Sequence, residues 1–94
     1  MPDRARCVIA YDVSDDRRRN RLARLLLDYG DRVQGSVFEA DLSSDEVERI
    51  LSRAAELVES AESLKVYVLC ADCADRVRSL GRDWPLGGDD LVLV

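Results

Sequence analysis

The apolar positions of this 94-residue chain follow first one period and then another. Residues 5–13 (ARCVIAYDV) form a short, β-rich run bounded by turn residues, which predicts a strand. Leu22, Leu25, Leu26 and Tyr29 then keep the i, i+3, i+4, i+7 spacing of a helix face. Ser14 stands as the N-cap of that helix, with Asp15 and Asp16 in a first turn whose dipole favours anions. Gly30 takes the place of a left-handed C-terminal residue. Residues 32–40 (RVQGSVFEA) return to a strand pattern, with Gly35 marking a bulge or a close backbone approach. Ser43 and Glu46 have the spacing of a capping box, and Val47, Ile50, Leu51, Ala54 and Val58 line one face of the helix it opens. Residues 64–70 (LKVYVLC) read as a third strand. A short turn is expected near residues 75–80, then the breakers Gly81, Pro85, Gly87 and Gly88, and last an apolar strand at 91–94 (LVLV).

This order predicts a ferredoxin-like α+β sandwich, βαββαβ with an extra C-terminal strand, its helices on one face of a single sheet. The scheme is complete if residues 32–34 and 37–42 pair as a hairpin, or else run on as one long bent strand. Residues 1–94 make one domain, without internal repeats or low-complexity segments. The terminal LVLV, at about 90–94, is too apolar to lie in water. Pairing with a second copy's sheet edge would bury it, so a homodimer is the expected state.

Composition limits the chemistry. A hydrophobic fraction of 47% with 35% charged residues suits a globular domain with a polar exterior. No apolar run approaches the roughly 18 residues of a membrane span, and the N-terminal one is too short for a signal peptide. A cytoplasmic location away from membranes is the expectation. There is no histidine, which excludes Ser-His-Asp triads, Cys-His dyads and His-ligated zinc within this chain. The net charge of −5, from 14 basic and 19 acidic residues, opposes a protein that coats nucleic acid electrostatically. The charge is uneven, however. The first 35 residues hold eight basic and six acidic groups, and the remainder six and thirteen. The arginines thus gather beside the first strand–helix junction.

At that junction stands Tyr11-Asp12-Val13-Ser14-Asp15-Asp16. Asp12 closes a hydrophobic strand, where a carboxylate is costly unless solvated, paired or metal-bound. Alternation sends it to the face opposite Tyr11 and Val13. It is either one more acid of a turn cluster or half of a Mg²⁺ site that a dimer axis would complete. Arg17, Arg18, Arg19, Arg21, Arg24 and Arg32 follow, with Arg17, Arg21 and Arg24 on one helical stripe: a solvated face, or guanidinium groups for phosphate. Cys70 and Cys73 form a Cys-x-x-Cys that is half a zinc site, a redox pair or two incidental thiols, without a thioredoxin-like context; Cys7, inside a strand, reads as a buried small hydrophobe.

Tyr11 to Asp16, Arg19-Asn20-Arg21 and Arg32 to Glu39 (RVQGSVFE) closely resemble the CRISPR-associated proteins of the Cas-two family. The similarity extends to residues 64–73 (LKVYVLCADC) and Gly81. It implies a ferredoxin-like homodimer that works with an integrase partner to insert spacers into CRISPR arrays, in antiviral defence. It also implies metal-dependent endonuclease activity on RNA or double-stranded DNA. Carried over by position, Asp12 is the catalytic residue and metal ligand, paired across the dimer axis on one Mg²⁺. Tyr11, Arg19, Arg21, Arg32 and Phe38 become nucleic-acid contacts, while Gly35 departs from the bulkier residue usual there. Ser14 or Ser36 would orient a water. The alternatives are a non-catalytic DNA-binding scaffold bridging integrase subunits, a toxin-like ribonuclease of the VapD type, or a plain regulatory domain of the same fold.

Overall fold

Cys7, Ile9 and Tyr11 alternate with Arg6, Val8 and Ala10 along the first strand, and this alternation decides which face of the sheet lies inside. The computed structural model describes residues 4–80. Within them the chain runs β1 (Arg4–Asp12), α1 (Asp16–Leu27), β2 (Asp31–Gln34), β3 (Val37–Ser43), α2 (Ser44–Ala54), β4 (Ser63–Leu69) and α3 (Ala71–Asp75). The strands form one sheet in the order β2-β3-β1-β4, each pair antiparallel. This is the expected ferredoxin-like α+β arrangement, and the hairpin version of the 32–42 segment is the one adopted. The expected strand at 91–94 and the breakers from Gly81 onward lie outside the described residues.

Register carries the core across strands. Cys7 pairs with Ala40 and Ile9 with Phe38, so their side chains share the inner face. Leu22 and Leu26 of α1 and Ile50 and Ala54 of α2 close over them. Phe38, Ile9, Leu22, Leu26, Leu42 and Ile50 are each below 2% exposed, and burying each such side chain contributes roughly 1.5–3 kcal/mol. The opposite face carries Val8, Ala10, Val37 and the half-exposed Tyr67, away from the α1 and α2 side chains that close the core.

Local signals set the helix ends, with two corrections. Ser43 caps α2 as expected: its Oγ accepts from the Glu46 N–H at 3.1 Å, and the Glu46 carboxylate accepts from the Ser43 N–H at 2.9 Å. Helix α1 is capped by Asp15 rather than Ser14, the Asp15 carboxylate accepting from the Arg18 N–H at 2.9 Å. Gly30 is not left-handed, since Gly35, with φ of 27°, is the described residue that has positive φ. What Gly30 provides is space. A Cβ there would lie 2.3 Å from the Glu39 carbonyl oxygen and 2.5 Å from Ala40 Cβ. Gly35 opens the two-residue turn of the β2–β3 hairpin, and the register irregularity falls just before it, between Arg32 and Gln34.

Candidate nucleic-acid interface and metal ligand

β1 stays apolar on its inner face to the end, and Asp12 closes it opposite Ser63 of β4. Alternation turns the Asp12 carboxylate to the face opposite α1 and α2. Asp12 is exposed, and no described residue gives it a hydrogen bond or an ion pair. Such a carboxylate is open to a cation. Mg²⁺ takes one or two carboxylates and fills its other positions with water and phosphate oxygens. Among the described residues no three acidic or thiol groups converge on one point. Asp12 therefore fits as one ligand of a Mg²⁺ site that a second copy's carboxylate would complete, and is not a full site by itself.

The residues after Asp12 are fastened by Glu62, whose side chain is only 9% exposed. Its carboxylate accepts from the Ser14 N–H and Oγ–H at 2.9 Å each, from the Glu59 N–H at 3.0 Å and from both terminal nitrogens of Arg18. Arg18 donates further to the Leu57 carbonyl at 3.0 Å. The Arg18 guanidinium first, then the Glu59 and Ser14 N–H groups, hold the Glu62 carboxyl far below the usual carboxylate range. Arg18 is thus a fastener. Ser14, expected to orient a water, spends its hydroxyl on Glu62 instead.

Arg19 turns the other way. It donates to the Val13 carbonyl at 3.0 Å and the Ser14 carbonyl at 3.3 Å and pairs with Asp16, which braces the β1–α1 junction. It also lines a polar pocket of about 240 Å³ with Tyr11, Asn20, Arg32, Gly35 and Ser36. The Arg32 guanidinium sits 5.4 Å from the centre of the Phe38 ring, a cation–π contact. The Phe38 ring in turn stacks on Tyr11 with centroids 6.2 Å apart. Two guanidiniums with an amide and a hydroxyl beside them can bind a phosphodiester through charge-assisted hydrogen bonds.

The structure brings together Tyr11, Arg19 and Arg32 and leaves out the rest. Phe38 is 0% exposed, so the expectation that its ring touches nucleic acid is corrected. It is a core residue that positions Arg32 from below. Tyr11, 6% exposed, offers the pocket only an edge. Arg21 does not line the pocket; two residues beyond Arg19 on a helix, it belongs to the exposed stripe of Arg17 and Arg24. Asp12 lies on the opposite face of the sheet from the arginine pocket. Asn20, which the sequence marks only as part of the Arg19-Asn20-Arg21 motif, gains a place in the pocket through the packing of the β2–β3 hairpin against α1.

Fold and groups together describe a small ferredoxin-like α+β domain with a two-arginine pocket on one face of its sheet and an exposed carboxylate on the other. Residues 5–77 match the family model described as CRISPR associated protein Cas2. The chain is 42% identical over 85 residues to a CRISPR-associated endoribonuclease Cas2 of Thermus thermophilus, covering 89% of this chain and 84% of that one. It is 38% identical over 76 residues to a Cas2 endoribonuclease of Chloroflexus aurantiacus, covering 79% and 82%. Among solved structures it superposes on Streptococcus pyogenes Cas2 with a TM-score of 0.70 at 32% identity, covering 81% of this chain and 99% of that one. A chain of a partial Cas6-RT-Cas1–Cas2 complex gives 0.66 at 30% identity, covering 80% and 83%. The chain belongs to the Cas2 family, and its role lies in CRISPR adaptation.

Proposed function

We propose that this protein is a metal-dependent endonuclease of the adaptation machinery, active on RNA or double-stranded DNA in the cytoplasm as a homodimer with a Cas1-type integrase as partner. The observation that carries the reading is Asp12, an exposed strand-end carboxylate without a partner among the described residues, in a chain of this family. Two copies facing each other would place two Asp12 carboxylates on one Mg²⁺. When bound, the ion supplies an activated water at neutral pH and neutralises charge on the phosphodiester. The chain itself supplies the rest: Arg32 and Arg19 hold the backbone of the strand, and Glu62 with Arg18 keeps the Asp12 junction rigid.

A second reading rests on the separation of Asp12 from the arginine pocket. Binding of DNA through Arg19 and Arg32 needs no carboxylate, which suits a scaffold that bridges integrase subunits. One experiment addresses both. Cleavage of RNA and duplex DNA is followed with Mg²⁺ and with EDTA for the native chain, Asp12→Asn and Arg32→Ala. Nuclease function requires cleavage that depends on Mg²⁺ and disappears in a folded Asp12→Asn protein; equal cleavage by that variant sinks it. A scaffold instead shows no cleavage, binding unaffected in Asp12→Asn, and a salt slope flattened by roughly one in Arg32→Ala.

A further inference from the structure

Cys70 and Cys73 take no part in the site above. Cys70 follows the last residue of β4 and is the N-cap of the five-residue α3, so the pair joins a strand, as the sequence pattern suggests, to a short helical turn. Both thiols are exposed. The Cys73 N–H donates to Cys70 Sγ at 3.3 Å. That nitrogen is separated from its own residue's sulfur only by Cα and Cβ, so the Cys70 sulfur is already turned toward the group it would have to join. A sulfur that accepts this bond is favoured as thiolate: the Cys70 pKa falls, and the neighbouring Cys70 raises that of Cys73. Cys7 differs in every respect. It is fully buried in β1, and burial pushes its pKa up.

We propose that Cys70 and Cys73 form a redox-active dithiol, oxidised by a low-molecular-weight disulfide and reduced again by the matching thiol. The Cys70 thiolate attacks one sulfur of the small disulfide, whose S–S bond breaks and releases one thiolate. Cys73 gives its proton to solvent and attacks Cys70 Sγ, breaking the mixed disulfide and releasing the second thiolate. The dithiol loses two electrons and two protons, and the small disulfide becomes two thiols. The bond formed ties the end of β4 to the first turn of α3.

The test uses the full chain in glutathione buffers of increasing oxidised fraction, quenched with acid, alkylated, and read by intact mass and peptide mapping. Cys70 and Cys73 are expected to become protected together with the loss of two hydrogens, reversibly on adding reduced glutathione, while Cys7 reacts only after unfolding. Cys73→Ser should stall with one glutathione on Cys70. Cys70→Ser, which keeps α3 because serine is itself a favoured N-cap, should react about tenfold more slowly at Cys73. Separate glutathione adducts on the two native thiols without an internal disulfide overturn the proposal. So does a pair that stays reduced across the whole series.

Discussion

Glu62 holds the start of α1 from 48 residues away in sequence. One carboxylate gathers Ser14, Glu59 and Arg18, and the three strands of contact lock the loop between α2 and β4 onto the β1–α1 junction. Its depressed pKa makes this contact sensitive to acid. In the unfolded chain the group titrates near 4.5, whereas in the folded one it keeps its charge well below that. Protons therefore bind the unfolded state first. The stabilising contribution is complete above about pH 5 and is lost progressively as pH falls below it. Glu62→Gln should lower stability at pH 7 and flatten the acid limb of the stability curve, measured by urea unfolding at a series of pH values. Parallel curves for the two proteins would count against the lock. Arg18 shows the same division of labour within the arginine run: it fastens, its neighbour Arg19 braces and borders the pocket, and Arg21 is exposed, with no ion pair among the described residues.

At the scale of elements, the two described glycines of the β2 region do opposite things. Gly30 is a contact: the chain passes so near β3 that even one methyl group meets backbone at 2.3 Å. Gly30→Ala should cost about 2–3 kcal/mol, as overpacking does, and lower Tm by roughly 10–20 °C in a domain of this size. Gly35 is a conformation: it has open space around it and a φ of 27°. Gly35→Ala should cost only about 1 kcal/mol. Thermal unfolding of both variants checks the contrast, and an equal effect would contradict it. The strands, both long helices and the Ser43 capping box could be read from the chain because alternation, the helical repeat and capping each act within a few residues. The reason for Gly30 could not, since its clash is with residues 39 and 40 across the sheet.

For the whole molecule, the sheet has two faces with separate chemistry. Asp12 belongs to the face opposite α1 and α2, and the Arg19–Arg32 pocket opens beside α1. A dimer that brings two Asp12 carboxylates together sets like charges against each other unless a cation or a proton lies between them. Removing divalent ions with EDTA at neutral pH should loosen such a dimer, and Asp12→Asn should tighten it again. Sedimentation equilibrium reads the difference. Identical dissociation of native and variant proteins in EDTA would argue against a shared ion.

The chain's own pattern was enough for the ferredoxin-like order of elements and for Asp12 pointing away from Tyr11, because each depends on spacing between near neighbours, while the family was legible only through the resemblance of its motifs. It was also enough to show the arginines gathered at one junction. It could not say which of them are free. Arg18 is tied to Glu62, Arg32 rests on Phe38, and Phe38 lies wholly inside. Those outcomes depend on sheet register and on loops meeting across many residues, so they exist only once the chain has closed on itself. The acidic surplus of the later residues acquires its meaning in the same way: one of those acids, Glu62, is what holds the basic end in place.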